Sequence, residues 1–358
     1  MPVDVVIGHT GAVGNAVVRM LVQSSTFRIV GALAHADEKV GRDVGEIAGI
    51  GPIGVAATRD LDELVALEAD CLTWHGLVWN PREIARFLEA GTNVYSGYGG
   101  WYPLGNPDDQ ILEAACEAGT TTYVAGGNIP GLISDVLPLF VSGFSTNVRQ
   151  LRARQSNYVA GYPSSQQLTL GLGIGVSPDT AATETAAADS QMTWAVEQSA
   201  AMVAAGLAVK LTKFELTSKE YANTPDDLVL KPSGLTVQAG TPAGVRWKWT
   251  AFHGDQAFFE VTNEQTVRLG LAYGWRQRLD EPNWTVDLRG EPDAQCTFSL
   301  PGLRDGVIAP VSVLNAARAV NFLPLVVAAK PGIKTVLDLP APSGRLTSTT
   351  DHHDGKAE

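Results

Sequence analysis

Three glycines follow a short apolar run close to the start of the chain. Residues 3–14 read VDVVIGHTGAVG, with glycines at Gly8, Gly11 and Gly14. Where a buried strand turns into a helix, the first glycine permits a tight turn, the second lets the backbone approach a ligand, and the third allows close helix packing. Free N–H groups at the helix start attract an anion, so we expect this turn to hold the pyrophosphate of NAD or NADP. The other residues of the turn are His9, Thr10, Ala12 and Val13.

A second candidate segment is the polar stretch HADEK at positions 35–39. In dinucleotide-binding folds, an acid after the second strand binds the adenosine ribose, whereas a basic residue pairs with a 2′-phosphate. Asp37 offers the acid, Lys39 offers the base, and His35 precedes both. The sequence therefore leaves the choice between NAD and NADP open.

Two further loops follow apolar strand-like runs. His75 and Gly76 come after the fourth run, where a glycine lets the chain pass close to the nicotinamide; His75 is either a contact residue or a structural one. Positions 96–105 read SGYGGWYPLG and carry no charge, and we expect the first two of these residues, Ser96 and Gly97, to bind the cofactor. Aromatic faces in such a loop can flank a flat or apolar substrate. The alternative is an ordered loop whose aromatic residues form its own small core.

Hydride transfer also needs a group that donates a proton to, or polarises, the atom that becomes negative. Tyr98 and Tyr102 are the candidate donors, and His75 is an open alternative. Asn128, in the segment GGNIPG at 126–131, can both donate and accept hydrogen bonds. We therefore name Tyr98, Tyr102 and Asn128 as the candidate catalytic residues.

The elements that must position these loops alternate between strand and helix over residues 1–145. The predicted strands are 3–7, 28–34, 53–57, 71–74, 93–96 and 121–125, and the predicted helices are 12–22, 60–67, 81–91, 107–119 and 131–142. This alternation is typical of an α/β fold, a Rossmann-type doubly wound parallel sheet with helices on both faces. Ligands of such sheets lie beyond the carboxyl ends of the strands, where all of these loops fall.

The pattern changes after residue 145, which indicates a second, α+β domain over 146–306 with a mixed or antiparallel sheet. Its predicted strands are 149–158, 245–252, 256–268, 284–289 and 295–300, and its predicted helix is 192–209. An apolar helix over 307–329, in the segment 307–335, is expected to return to the first domain. The polar residues 340–358 are expected to form a disordered tail.

Composition excludes several classes of function. The net charge of −12 provides no basic field for nucleic acid. No apolar run is long enough to cross a bilayer and no leader opens the chain, so we expect a cytoplasmic protein without membrane contact. The cysteines Cys71, Cys116 and Cys296 lie far apart, and the six histidines show no ligand spacing. We expect neither a disulfide framework nor a metal site.

Several segments together resemble a known group of enzymes. They are GAVG after the first strand, KVGRDVGEIAGIGPIGV at 39–55, GNIPGLISDVLPL at 127–139, YPS at 162–164 and ARAVNFLPLVVAAKPGI at 317–333. On these segments the chain resembles the dihydrodipicolinate-reductase-like oxidoreductases, and within them the branch of 2,4-diaminopentanoate dehydrogenase and the native amine dehydrogenases. The resemblance covers nearly all of the chain before position 340.

The resemblance implies a Rossmann domain for NAD(P), a second domain that carries substrate and dimer contacts, and Asn321 near the cofactor. It also implies chemistry at C=N or C=O bonds and a homodimer. The chain departs from the branch in its glycine spacing, GxxGxxG instead of GxGxxG, and in GNIPG instead of GINPG. The paired histidines and lysine of dihydrodipicolinate reductases are absent. The amine dehydrogenases carry a glutamate in the fifth-strand loop, where this chain has Gly99 and Gly100.

These observations predict an NAD(P)H-dependent reductase. We expect hydride transfer to a C=O, C=N or conjugated double bond of a fairly apolar small molecule, because the fifth-strand loop is aromatic and uncharged. An amine dehydrogenase is the narrower alternative within the same class. A cofactor-binding sensor without catalysis is the alternative from a different class.

Overall fold

The computed structural model describes residues 1–76, 78–301 and 309–345. The first sheet is built from six short parallel strands, hydrogen-bonded in the order β6-β5-β4-β1-β2-β3. They are β1 (Val3–Gly8), β2 (Phe27–Leu33), β3 (Ala57–Thr58), β4 (Cys71–Trp74), β5 (Asn93–Ser96) and β6 (Thr122–Ala125). This order, which reverses between β1 and β4, is that of the Rossmann fold. The predicted fold class is therefore confirmed.

Polar side chains cap four of the five helices between these strands. The helices are α1 (Ala12–Leu21), α2 (Val44–Ile47), α3 (Leu61–Val65), α4 (Pro81–Glu89) and α5 (Pro107–Gly119). The Asp60 carboxylate accepts from two backbone N–H groups at the start of α3, as its position before an apolar run predicts. Asn106 and Asp109 form a reciprocal capping box ahead of α5. These local signals are why α5 begins and ends at the predicted residues.

The helical segment after β6 leads to the second sheet. Non-helical residues at 129–131 interrupt Asn128–Val136, and the chain then continues through α6 (Leu137–Ser142). Two more helices, α7 (Pro178–Glu184) and α8 (Ala186–Gly206), follow the first strand of the second sheet. Helix α8 starts six residues before the predicted position 192, because an alanine-rich stretch extends its first turns.

The second sheet has six strands in the order β14-β13-β7-β12-β11-β8. They are β7 (Thr146–Tyr158), β8 (Lys213–Asn223), β11 (Pro242–His253), β12 (Gln256–Thr266), β13 (Trp284–Glu291) and β14 (Ala294–Phe298), while β9 (Leu228–Leu230) and β10 (Leu235–Val237) form a separate pair. The predicted strands 245–252 and 256–268 correspond to β11 and β12, which form a hairpin around His253-Gly254-Asp255. The sheet is mixed, because β7 and β12 run parallel. Strand β8 was missing from the sequence prediction, since this half-exposed edge strand lacks a clean apolar alternation.

The chain finally returns to the first sheet. Helix α9 (Ala309–Ala328) packs against α1, and β15 (Gly332–Lys334) pairs in parallel with β6 as a seventh strand. By length and composition α9 could cross a bilayer, but Phe322, Leu323 and Val326 are buried in the core beside the first sheet. The beginning of the predicted helix at 307 and the tail beyond 345 lie outside the described residues. Within the predicted tail, Arg345 donates to the Thr26 hydroxyl at 2.7 Å.

Candidate cofactor and substrate site

Backbone hydrogen bonds join the predicted loops at the carboxyl edge of the first sheet. The His75 N–H donates to the Gly8 carbonyl at 2.9 Å, which links the loops after β4 and β1. The Gly97 N–H donates to the Trp74 carbonyl at 2.8 Å, and the Gly126 N–H donates to the Ser96 carbonyl at 3.0 Å. The sheet ladder thus continues into the loops and holds four of the candidate segments side by side.

The glycine turn has the form that a pyrophosphate requires. Gly11 caps α1 without a side-chain hydrogen bond, and the first turn of α1 contains no acidic residue, so its N–H groups are free for an anion. A Cβ at Gly11 would meet open space, whereas a Cβ at Gly14 would lie 1.9 Å from the His9 carbonyl oxygen. The left-handed residue is His9, with φ 84°, and not Gly8. Position 8 requires glycine for lack of space instead, because a Cβ there would lie 2.9 Å from the Thr73 carbonyl oxygen.

Aromatic rings from three loops gather behind this turn. The ring of His9 lies 4.9 Å from that of His35 and 4.5 Å from that of Trp74. His9 Nε2 and Trp74 Nε1 lie within 2.7 and 3.2 Å of the Cβ position at Gly76, so a side chain there would strike both rings. His75 Nδ1 is similarly 2.7 Å from the Cβ position at Gly97. Both glycines are therefore required by the rings beside them.

These rings carry unused polar atoms. Within the described part of the chain, His9 Nε2, Trp74 Nε1 and His75 Nε2 are buried without a hydrogen-bond partner. Burial, aided by nearby His35, lowers the pKa of His9 to about 4, and burial, aided by His9, lowers the pKa of His75 to about 3. Both imidazoles are neutral at physiological pH. A buried polar atom without a partner is costly, so these nitrogens fit a site that a bound dinucleotide completes.

The loop after β2 contains both the acid, Asp37, and the base, Lys39, that the sequence offers for the adenosine ribose. Lys39 Nζ donates to the Thr10 carbonyl at 2.8 Å, which places the lysine across the glycine turn. Asp37 forms an exposed ion pair with Arg59, which also donates to the His35 carbonyl at 2.8 Å. Sequence reasoning missed Arg59, although its position directly after β3 is a further carboxyl-end signal. The site can therefore offer either a carboxylate or two cations to the adenosine ribose.

The aromatic loop after β5 is partly structural. Trp101 is buried, and its ring lies 5.6 Å from Tyr98 and 5.3 Å from Trp194 of α8. The Tyr102 N–H donates to Gln198 Oε1 at 3.2 Å, a second tie between the loop and α8. Trp101 thus follows the small-core alternative. Tyr98 remains half-exposed, and burial raises the pKa of its hydroxyl above the ordinary value.

A cavity of about 360 Å³ opens beside this loop. Its walls are Val78, Trp79, Tyr98, Asp108, Gln191 and Trp194. The Trp79 indole donates to Asp108 at 2.8 Å, which fixes this ring in the wall. A space of this size with aromatic walls suits a small apolar ligand.

Trp79 also explains why no side chain is present at positions 99 and 100. Gly99 and Gly100 have φ values of 83° and 60°, a backbone region that favours glycine. A Cβ at Gly99 would lie 2.0 Å from the Trp79 ring, and one at Gly100 would lie 2.9 Å from the Tyr123 hydroxyl. The Tyr123 hydroxyl in turn donates to the Gly99 carbonyl at 2.7 Å. A glutamate at either position does not fit this arrangement.

The loop after β6 contacts helix α9. Arg318 Nε is 3.1 Å from the Cβ position of Gly126, and Asn315 Oδ1 is 3.5 Å from that of Gly127. The structure therefore places Asn315 at the loop after β6. Asn321, named by the resemblance, is a half-buried residue farther along the same helix. Asn321 stays a prediction.

Beneath this loop lies a buried carboxyl group. Asp135 accepts from the Gly131 N–H at 2.8 Å and from the Ser199 hydroxyl at 2.9 Å. Burial raises the pKa of Asp135 to about 6, although Arg318 and these hydrogen bonds act in the opposite direction. Asp135 thus connects the loop after β6 to helix α8.

Asn128 belongs to a row of buried amides on the second sheet. Its Nδ2 donates to Gln155 Oε1 at 2.9 Å, and the Trp284 indole donates to the same oxygen at 2.8 Å. Gln155 Nε2 donates to Asn263 Oδ1 at 3.1 Å, and Gln265 Nε2 donates to Asn263 Oδ1 at 2.5 Å. Asn157 lies beside Gln265 in the parallel register of β7 and β12. We call Asn128, Gln155, Asn157, Asn263 and Gln265 the amide row.

A sequence signal for the amide row exists. In β7 the inward positions read Leu151, Ala153, Gln155 and Asn157, and in β12 they read Phe259, Val261, Asn263 and Gln265. Both strands change from apolar to amide residues without losing their period of two. Buried polar side chains in such a stripe indicate a polar site at one end of the sheet.

Two of the three cysteines, Cys71 and Cys116, are buried. Burial raises the pKa of Cys71 to about 12 and that of Cys116 to about 11, so both thiols are inert core groups. All three cysteines are free. Among the described residues, no group of three His, Cys, Asp or Glu side chains is placed to hold a metal ion.

Comparison with known proteins agrees with this architecture. Residues 3–73 match the N-terminal domain of dihydrodipicolinate reductase. The chain is 25% identical to an amine dehydrogenase of Streptomyces virginiae, covering 94% of this chain and 96% of that protein. It is 23% identical to 2,4-diaminopentanoate dehydrogenase of Acetoanaerobium sticklandii, covering 95% and 94% of the two chains.

Solved structures show the same fold. The amine dehydrogenase of Mycobacterium smegmatis superposes with a TM-score of 0.77 at 20% identity, covering 96% of this chain and 98% of that one. Residues 132–354 match the model of the 2,4-diaminopentanoate dehydrogenase C-terminal domain. The chain therefore belongs to the 2,4-diaminopentanoate dehydrogenase family and is an NAD(P)-dependent oxidoreductase, as the sequence predicted.

Proposed function

We propose that the protein uses NAD(P)H to reduce a C=O, C=N or conjugated C=C bond of a small molecule whose body is mainly apolar. The observation that carries this proposal is the cavity of about 360 Å³ beside the loop after β5. Trp79, Tyr98 and Trp194 form much of its wall. The aromatic part of this wall favours apolar or flat groups, and the Asp108 carboxylate is its charged member.

The residues at the edge of the first sheet fit the cofactor. The N–H groups at the start of α1 would hold the pyrophosphate, and the unpaired ring nitrogens of His9, Trp74 and His75 would contact the rest of the dinucleotide. When bound, NAD(P)H supplies the hydride. The protein's own contribution is to fix the position of the two reactants and to exclude water from between them.

Tyr98 is our candidate proton donor. A tyrosine hydroxyl is protonated at neutral pH, and burial raises the pKa of Tyr98 further, so Tyr98 carries a proton that it can donate to the oxygen or nitrogen that becomes negative. Tyr102 is the second candidate, held close to α8 through its backbone N–H. Asn128, with an unpaired Oδ1, is the candidate hydrogen-bond partner of the reacting groups.

A specific test replaces each tyrosine. Tyr98→Phe and Tyr102→Phe, singly and together, remove the hydroxyl and keep the ring. We expect a loss of turnover of about 100-fold for the true donor, with little change in NAD(P)H affinity, since general acid catalysis is worth that much. Unchanged turnover in all three variants would contradict the assignment.

Amine dehydrogenase activity is the second candidate function, and the names of the full-length relatives favour it. The Trp79 ring against Gly99 argues against the glutamate-dependent form of that chemistry. A panel of ketones, aldehydes, enones and cyclic imines, each with and without ammonia and with NADH or NADPH, separates the possibilities. Oxidation of NAD(P)H only with ammonia identifies an amine dehydrogenase. Cofactor binding without consumption identifies a sensor.

Cellular setting and assembly are part of the same proposal. We place the protein in the cytoplasm, acting on small molecules and without nucleic-acid or membrane partners, which the free, buried thiols of Cys71 and Cys116 support. The homodimer rests on the family. Light scattering of the purified protein tests it, and a monomeric mass would contradict it.

A further inference from the structure

The amide row carries an inference that concerns substrate selection. All five side chains are at least 91% buried, with Asn128 the least buried at 9% relative exposure. Three of their oxygens, Asn128 Oδ1, Asn157 Oδ1 and Gln265 Oε1, have no partner among the described residues. Leaving a buried polar atom unpaired costs about 1–3 kcal/mol, so three such atoms on one face call for a ligand.

The chemical nature of the unpaired atoms follows from Trp284. An indole N–H can only donate, so the Gln155 atom that faces it must be the oxygen. Gln155 therefore presents its amide nitrogen to Asn263, which must accept through Oδ1. The same reasoning turns Gln265 so that its nitrogen faces Asn263.

Both ends of the chain of hydrogen bonds are then acceptors. Asn128 gives its nitrogen to Gln155 and keeps Oδ1 free, and Gln265 gives its nitrogen to Asn263 and keeps Oε1 free. The donor-only indole thus sets the polarity of every amide that it reaches. A ligand of these oxygens must bring hydrogen-bond donors, and a carboxylate would be repelled by them.

The location of the amide row connects it with the reaction. Asn128 follows β6 at the carboxyl edge of the first sheet, and its neighbour Gly127 lies against Asn315 of α9. The row runs from there across β7 and β12, on the inward face of the second sheet. It therefore begins at the loop where the nicotinamide is expected.

We propose that the amide row is a specificity subsite that binds an N–H or O–H donor group of the substrate through Gln265 Oε1 and Asn128 Oδ1, and that excludes carboxylates. This inference rests on the proposed function. The donor group is the polar end of a substrate whose remaining surface is apolar. The Asn128 end also suits the N–H₂ of a nicotinamide carboxamide, which is the same chemistry from the cofactor.

Propionamide and propionate test the subsite, because they share shape but present N–H donors or a carboxylate. Each is titrated by calorimetry into the protein with and without saturating NAD(P)H, and its dissociation constant is taken from the heat of binding. We expect propionamide to bind at least about 10-fold more tightly than propionate, the value of one or two good hydrogen bonds. The titration without cofactor separates the two sources: if the row binds only the carboxamide of the cofactor, NAD(P)H competes with propionamide and abolishes the preference, whereas a substrate subsite keeps the preference when NAD(P)H is bound.

Gln265→Met keeps the length of the side chain and removes the oxygen. We expect this variant to lose about 10-fold of the preference for propionamide. Thr262→Val, on the same strand but on the opposite face, is the matched control and should keep the preference. Melting temperatures confirm that both variants are folded.

The inference is overturned if propionate binds as tightly as propionamide, if Gln265→Met keeps the full preference, or if neither probe binds to a protein that binds NAD(P)H. Loss of NAD(P)H binding itself is a different result. It contradicts the proposed function, and the titration without cofactor still decides whether the amide row recognises donors.

Discussion

The loops at the carboxyl edge of the first sheet and the amide row of the second sheet, which we call the first and the second wall, are built in different ways. The wall from the first sheet consists of loops held by backbone hydrogen bonds, with glycines where rings or carbonyls leave no room for a side chain. The wall from the second sheet is a row of side-chain amides whose orientation depends on a single indole. The first wall is sensitive to a side chain added at one of its glycines. The second wall is sensitive to the loss of a single side-chain donor.

The largest effect is expected at Gly14. In Gly14→Ala the new Cβ would lie 1.9 Å from the His9 carbonyl oxygen, so helix α1 must move away from the turn. Overpacking of this kind costs about 1–3 kcal/mol or more. We expect a lower melting temperature and loss of measurable NAD(P)H binding, by thermal unfolding and fluorescence titration.

Gly11→Ala is the matched control for this prediction. A Cβ at Gly11 meets open space in the protein, and its φ of −81° suits alanine. The fold should therefore be unaffected, while the methyl group occupies the approach of the pyrophosphate and weakens NAD(P)H binding about 10-fold or more. If Gly11→Ala bound NAD(P)H normally, the pyrophosphate would not lie on this turn.

The second prediction concerns the amide row instead of the glycine turn. Trp284→Phe keeps a buried aromatic ring and removes the donor that orients the amide row. We expect normal NAD(P)H binding and a loss of about 10-fold in the preference for propionamide over propionate, because Gln155 is then free to turn over. The first wall should not respond.

Trp249→Phe is the control for this change. Trp249 is also fully buried on the inward face, and its indole donates to the Thr193 hydroxyl at 2.9 Å, away from the amide row. The two variants lose equivalent hydrogen bonds, so equal losses of selectivity would refute the polarity argument.

The same contrast explains what could be predicted from the sequence. Strand β5 and helix α5 were predicted to the residue, since glycine, proline and capping residues act locally. The loops of the first wall followed from the rule that ligands lie at the carboxyl ends of parallel strands. The left-handed conformation at His9 was not predicted, because it is imposed by the turn as a whole.

The second wall could not be predicted from local sequence, because it depends on contacts between residues that are far apart in the chain. The amide row exists because β7 and β12 pair in parallel, which places Gln155 beside Asn263 although 108 positions separate them. The alternation in each strand indicates an inward face, but only the register brings the amides together. Tyr98 and Trp101 show the same limit: their loop was predicted, whereas the packing of Trp101 against Trp194 depends on where α8 lies.

A smaller effect is expected on the choice between NADH and NADPH, which we assign to the loop after β2. Arg59 and Lys39 lie at the expected ribose position, together with Asp37. Because Arg59→Ala removes a cation that could pair with a 2′-phosphate, we expect NADPH affinity to fall about 10-fold while NADH affinity stays within about 2-fold. Parallel titrations with both cofactors measure this ratio. An equal loss for both would assign Arg59 to the support of the His35 loop alone.

The last prediction concerns Asp135, which joins the loop after β6 to helix α8 through Gly131 and Ser199. Its pKa is raised in the folded protein to about 6, so the folded state holds the proton more tightly than the unfolded state does. The free energy of unfolding must then decrease as pH rises from about 4 to about 6, by up to about 3 kcal/mol from this group. Asp135→Asn has no proton to lose and should lack this component.

Thermal unfolding of both proteins between pH 4 and 8 measures the difference. The histidines titrate in both, with the opposite sign for lowered pKa values, so they cancel in the comparison. We expect the melting temperature of the wild-type protein to decline relative to Asp135→Asn up to pH 6 and then to remain parallel. A constant offset across the whole range would mean that Asp135 is ionised throughout and that its pairing with Arg318 outweighs burial.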